Sequence, residues 1–196
     1  MRSLSLLSRH LVPAVVLALG GCSSSASVGA SDAGGIFLAQ ESDFDGYHQW
    51  TTYREDSGLP DSVSSPSADG GMAVVHNGGL RIEYINKLPP HGSTEFPVGT
   101  IIVKEIPAQN QVFAMVKRGG SYNPYDAGTG ASAFSNWEWF ELSGTESAVS
   151  FLWQGAIAPA NQAYSGSDPY VCNQCHSAMG HGNDFVASPE IRLARY

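Results

Sequence analysis

The stretch Thr100-Ile101-Ile102-Val103-Lys104-Glu105, followed closely by Val112-Phe113-Ala114-Met115-Val116-Lys117, decides the fold. The first run is rich in β-branched residues, which suit a pleated backbone. Alternation puts Ile102 and Lys104 on one face and Ile101 and Val103 on the other. Gln109-Asn110 supplies a turn, so the two runs read as an antiparallel pair. Upstream, residues 80–85 alternate, with Leu80, Ile82 and Tyr84 on one face and Arg81 and Glu83 on the other. The apolar run 72–76 precedes them, and Asn77-Gly78-Gly79 predicts a hairpin between the two. Downstream, a Gly-rich loop over 119–135 leads to strands at 137–142 and 148–153. Short strands with turns between them predict a mainly β fold, an antiparallel sheet or sandwich with a few short helices. No segment repeats at a fixed period, which argues against a solenoid or propeller.

Before the strands, Phe44, Tyr47, Trp50 and Tyr53 recur at helical spacing and predict a short helix over 41–53, weakened by Gly46. Residues 58–71, crowded with Ser, Pro, Asp and Gly, read as a loop. Near the end, Ser188 as cap and Pro189 in the first turn predict a final helix.

The amino terminus reads as an address. Arg2 and Arg9 form a positive region before an apolar run, Leu11 to Leu19, that is too short to span a bilayer. It ends at Leu19-Gly20-Gly21-Cys22, which resembles the bacterial lipobox, whose cysteine is acylated and becomes the first residue. The expectation is a signal peptide over 1–21, lipid on Cys22, a flexible Ser/Ala/Gly tether over 22–40 and a folded domain over 41–196. Ser23 after Cys22 implies, by the same resemblance, sorting to the outer membrane facing the periplasm. The membrane is then met through the lipid alone.

The formal charge is −8, and loss of Arg2 and Arg9 takes it to −10. Such an acidic surface argues against nucleic acid and anionic membranes as partners. Charged residues make up 14% of the chain, against about 25% in ordinary soluble domains. Gly, Ser, Thr and Asn fill the difference, as suits strands and loops outside the cytoplasm.

Three cysteines are present. With Cys22 assigned to lipid, Cys172 and Cys175 remain, and none is left for a structural disulfide. They stand in Cys172-Asn173-Gln174-Cys175-His176. Two thiols at that spacing add across the two vinyl groups of a haem, and the adjoining histidine ligates the iron. A redox dithiol wants a βαβ setting, which is absent, and a zinc site wants two further ligands, for which no other cysteine is available. The motif therefore predicts one covalently bound haem c, carried on a C-terminal helix or loop, with His176 as axial ligand. A second protein ligand on the iron would make the chain a membrane-tethered electron-transfer cytochrome; an open position would bind a small molecule. Met72, Met115 and Met179 are the candidate sixth ligands. Met115 lies in an apolar strand and reads as core, while Met179 and His181 lie too near His176 to reach the opposite face easily. His48, His76 and His91 read as turn or surface residues. The balance favours an open iron.

Four segments, in this order, resemble the cytochrome P-460 and cytochrome c′-beta family: Leu80-Arg81-Ile82-Glu83-Tyr84-Ile85-Asn86; Phe96-Pro97-Val98-Gly99-Thr100-Ile101-Ile102-Val103-Lys104-Glu105; Asn136-Trp137-Glu138-Trp139-Phe140; and the haem motif followed by Asp184-Phe185-Val186. The likeness covers most of residues 72–187. It implies a mainly β homodimer with a five-coordinate haem held against the sheet. In the hydroxylamine-oxidising branch a lysine is bonded to a haem meso carbon, and Lys104 takes that place here. Arg81 corresponds to a basic residue near the distal pocket. The gas-binding branch lacks the lysine and caps the iron with aromatic groups. The resemblance thus implies oxidation of a small nitrogen compound, hydroxylamine, with electrons passing to an outside acceptor. Non-enzymatic binding of nitric oxide or a similar gas is the second reading, and electron transfer the third.

By their residue types alone, Lys104 reads as an edge-strand lysine and Arg81 as half of an exposed pair with Glu83. Proton removal from substrate needs a base, and strand parity does not choose among Glu83, Glu105, Glu138, Asp168 and Asp184. Pocket lining by Tyr122, Tyr125 or Phe134 is equally open.

Overall fold

β-branched and aromatic residues recur through the strands of one sheet, and the fold buries both of its faces. The computed structural model describes residues 35–56, 63–66, 72–75, 79–120, 136–145, 147–155, 159, 172, 176 and 182–196. All of them belong to one compact unit, Ser31–Tyr196. The strands are β1 (Thr51–Asp56), β2 (Val63–Pro66), β3 (Met72–Val75), β4 (Leu80–Ile85), β5 (Ile101–Ile106), β6 (Gln111–Lys117), β7 (Trp137–Thr145) and β8 (Ala148–Gly155). Six of them form an antiparallel sheet in the order β1-β4-β5-β6-β7-β8, and β2 and β3 pair separately. The mainly β, antiparallel architecture expected from the sequence is the one observed.

The β5–β6 pair forms across 3-10 turn Pro107–Gln109 and Asn110, which takes the left-handed conformation at φ 51°. At the other end of β5, Asn86 extends the ladder with its side chain. Its Oδ1 accepts from Ile101 N at 2.8 Å and its Nδ2 donates to Gly99 O at 3.0 Å. The β7–β8 turn needs Gly144, at φ 98°, because a Cβ there would lie 2.2 Å from Ala148 O.

Four expectations are corrected. The helix over 41–53 is instead two 3-10 turns, Glu41–Phe44 and Tyr47–Gln49, followed by β1. Gly46 between them is left-handed at φ 72°, which ends the first turn, and Thr51-Thr52-Tyr53 then pairs with β4. The loop over 58–71 contains β2. The 72–76 strand does not form a hairpin with 80–85: β3 pairs with β2, while β4 takes β1 and β5 as neighbours. Finally, Ser188 Oγ does accept from Glu190 N and Ile191 N, at 3.1 and 3.0 Å, yet no α-helix follows. Bends lead to a single 3-10 turn, Leu193–Arg195, because the segment's amides and carbonyls are claimed by Asn183.

Each face has its own apolar cluster. Tyr84, Ile101, Val103, Ala114, Val116, Phe140, Leu142 and Val149 form the first, covered by Ala39, Phe44 and Tyr47 of the N-terminal segment. Phe44 meets the rings of Phe140 and Phe151, each at 5.4 Å. Packing therefore reaches back to Phe37 and Ala39, within the stretch expected as tether. Ile85, Ile102, Met115, Trp137, Trp139 and Trp153 form the second, covered by Val186, Ile191 and Leu193 of the C-terminal segment, with Cys172 and Phe185 packed against it. A fully buried side chain of this size contributes about 1.5–3 kcal/mol.

A bulge in β8 lets one strand serve both clusters. Glu141 is opposite Trp153 but Leu142 is opposite Phe151, so Leu152 is the extra residue. Val149 and Phe151 thus face the first cluster and Trp153 the second, where strict alternation would have put all three on one side.

Candidate functional site

Cross-strand partners share a face, so the register assigns each candidate residue. Tyr53, Glu83, Lys104, Phe113, Glu141 and Trp153 form one row across all six strands. Beside it runs the row Thr51, Ile85, Ile102, Met115, Trp139 and Gly155. This is the face that meets Cys172 and His176. Cys172 and His176 are both in helical backbone. Cys172 packs on the apolar cluster of this face, and the ring of His176 lies 4.4 Å from that of Trp139. Cys175, Met179, His181, Asp168, Tyr122, Tyr125, Phe134 and the signal and lipobox residues, including Cys22, lie outside the described residues.

His176 is oriented by backbone. Its Nδ1 stands 2.8 Å from Phe185 O; a carbonyl only accepts, so Nδ1 carries the proton and Nε2 keeps a free lone pair. Burial, with the charge of Lys104 adding to it, lowers the imidazole pKa from 6.5 to about 4, against a smaller opposing effect of the Phe185 carbonyl. The ring is therefore neutral over the physiological range.

Lys104, a partly buried residue, stands opposite Glu83. Its charge is felt by both Glu83 and His176, which brings the expected cross-linking lysine and the expected axial ligand to one side of the sheet. It is not an edge-strand lysine, since β5 has β4 and β6 on either side. The expectation of an exposed Arg81–Glu83 pair is also corrected. Glu83 is only 7% exposed, because the C-terminal segment covers this face and Ser188 Oγ donates to Glu83 Oε2. Burial raises the Glu83 pKa, while Ser188, Lys104 and Arg81 pull it back down. Arg81 forms its ion pair with Glu55, its partner across β1 and β4.

Of the candidate bases, Glu105 and Glu138 leave this face. Glu105 accepts from Tyr47 Oη and His48 Nε2, each at 2.5 Å, and from Tyr84 Oη at 3.0 Å, on the N-terminal side of the sheet. Burial works to raise its pKa, but these donors outweigh it and hold the carboxyl below its usual 4.5. Glu138 pairs with Arg118. Glu83 and Asp184 remain on the side of the sheet where His176 lies. Met115 is core, as expected, within the cluster under Trp139.

Two residues of this region escaped the sequence reading. Lys117, with its side chain 4% exposed, binds Asp184 Oδ1 and Oδ2 at 2.6 and 2.8 Å and lies 5.4 Å from the centre of the Trp137 ring. Its parity with Phe113 and Met115 was the available signal. Glu141 accepts from Trp153 Nε1 at 2.7 Å, and only the β8 bulge brings that indole to it.

Tested against the haem expected from the motif, the described residues fit: the Cys172 thiol and a neutral imidazole against one face of the sheet, the imidazole's Nδ1–H already engaged, and an apolar aromatic surface beside them. Among the described residues no group of three or more His, Cys, Asp or Glu side chains is placed to hold a bare metal ion. Comparison with family models, with curated proteins and with solved structures returned no match.

Proposed function

We propose that the chain is a c-type haem protein that oxidises hydroxylamine, lipid-anchored through Cys22 at the outer membrane and facing the periplasm as a homodimer. Cys172 and Cys175 would hold the haem through thioether bonds, His176 would ligate its iron through Nε2, and Lys104 would bond to the macrocycle. When bound, the haem supplies an iron position for a small nitrogen ligand and a path for its electrons to an outside acceptor.

The observation that carries this reading is the ladder register, which puts Lys104 on the face whose Trp139 packs against the ring of His176. The chain's own residues then divide the work. Phe185 O orients His176 and sets its tautomer. Trp139 packs against the imidazole. Glu83, buried and opposite Lys104, holds a proton more readily than an exposed carboxylate and is the base candidate nearest that lysine in the ladder. Arg81, held by Glu55, keeps a positive charge at the end of the same face.

Turnover tests the proposal. Purified, haem-loaded protein should oxidise hydroxylamine with an artificial electron acceptor, and Lys104→Met should lower the rate by at least an order of magnitude. Binding of nitric oxide without turnover would favour the second reading, a non-enzymatic gas-binding protein. The aromatic floor of Trp137, Trp139 and Trp153 supports that alternative.

A further inference from the structure

The imidazole of His176 donates to the carbonyl of Phe185, which sits in an unusual turn. Asp184 and Phe185 are consecutive non-glycine residues in the left-handed region, at φ 49° and 65°. Side chains with a Cβ avoid that region, and a bulky phenylalanine does so strongly. Such a turn persists only where its surroundings over-determine it. Here they do. Lys117 Nζ holds both Asp184 carboxylate oxygens, Phe96 N donates to Oδ2 at 2.9 Å, and Trp137 Nε1 donates to Asp184 O at 2.8 Å. Val186 N closes the turn on Asn183 O at 3.0 Å. The strain has one visible product: Phe185 O is aimed at His176 Nδ1.

We infer that the buried Lys117–Asp184 pair, with Trp137, is a positioning device for His176, acting through the Phe185 carbonyl. The inference rests on the proposed haem attachment. Lys117 and Trp137 sit on neighbouring strands, opposite one another, so the sheet itself fixes the direction in which the turn presents its carbonyl. A histidine that donates its Nδ1–H is a stronger ligand at Nε2, and partners of that donation tune the bound metal. Loosening the turn weakens the donation, makes His176 a poorer donor to iron and favours the ferrous state.

Resonance Raman spectra and potentiometric titration of the full-length, haem-loaded protein test this. In Lys117→Met and Asp184→Ala the iron–histidine stretching frequency should fall and the reduction potential should rise, with covalent haem retained. Asp184→Asn keeps an oxygen for the Phe96 amide, so it should shift both quantities less and in the same direction. It also serves as the readout where Asp184→Ala does not fold. Folded, haem-loaded variants with wild-type frequency and potential would overturn the inference alone. Wild-type protein lacking covalent haem would overturn the proposed function and this inference with it.

Discussion

Glu83 and Lys104 stand directly opposite one another on adjacent inner strands of the sheet, on the face that carries His176. Glu83 is held from two directions. Lys104 faces it across the ladder, and Ser188 reaches it from the C-terminal segment that covers the sheet. A single buried carboxylate thus links the cover to the row in which the candidate cross-linking lysine lies.

Glu83 and Ser188 should therefore be energetically coupled. Removing either partner of a buried hydrogen bond costs about 1–3 kcal/mol, so Glu83→Ala and Ser188→Ala should each destabilise the protein by that order in urea unfolding. The double variant should lose less than the sum, with a coupling of about 0.5–3 kcal/mol. Strictly additive losses would contradict the link.

Glu105 and Glu141 should give opposite pH dependences. The folded pKa of Glu105 lies below the ordinary 4.5, so its contribution to stability is present above 4.5 and lost as pH falls through the folded value. Glu141 is raised above 4.5 by burial, against the smaller effect of the Trp153 indole. Its contribution is complete below 4.5 and is lost as pH rises through the folded value. Glu105→Gln should then cost stability at neutral pH and little in acid. Glu141→Gln, which keeps an oxygen for Trp153, should gain on wild type as pH rises. Urea unfolding on both sides of pH 4.5 checks the pair; changes of the same sign would show that one carboxyl is misassigned.

Deleting Leu152 should be tolerated, as its exposed position, 49% accessible, suggests. Without the extra residue Phe151 and Trp153 become consecutive, and regular alternation still puts them on opposite faces, with Trp153 opposite Glu141. Trp153→Phe, by contrast, removes the indole donor of the buried Glu141 and should cost about 1–3 kcal/mol in urea unfolding. A loss on deleting Leu152 as large as that of Trp153→Phe would contradict the assignment of Leu152 as the extra residue.

How far these features were legible in the sequence depended on whether the information was local. The β5–β6 pair could be read because its alternation, β-branching and Asn110 turn lie within one short stretch. Parity put Lys104 on the face of Ile102, as the ladder has it, but did not tell which face that is. The helix over 41–53 misled because its aromatic spacing comes from packing on the sheet: Phe44 and Tyr47 cover the first cluster, while Tyr53 bonds Tyr196 Oη at 2.6 Å on the opposite face. The burial of Glu83 was hidden, since it is caused by Ser188, 105 residues later. Lys117–Asp184 was hidden for the same reason, with 67 residues between the partners. The β8 bulge has no composition signal, so the change of face at Trp153 could be seen only in the ladder.

The central claim is that one haem is bonded both to the Cys172–Cys175 motif and to Lys104. Mass spectrometry of a tryptic digest of the mature, exported protein tests it most directly. The claim predicts a single species in which a haem joins the peptide 119–192 to the peptide 88–117, uncleaved at Lys104 because its amine is substituted. Recovery of an unmodified peptide ending at Lys104, beside a haem held on the cysteines alone, would contradict it.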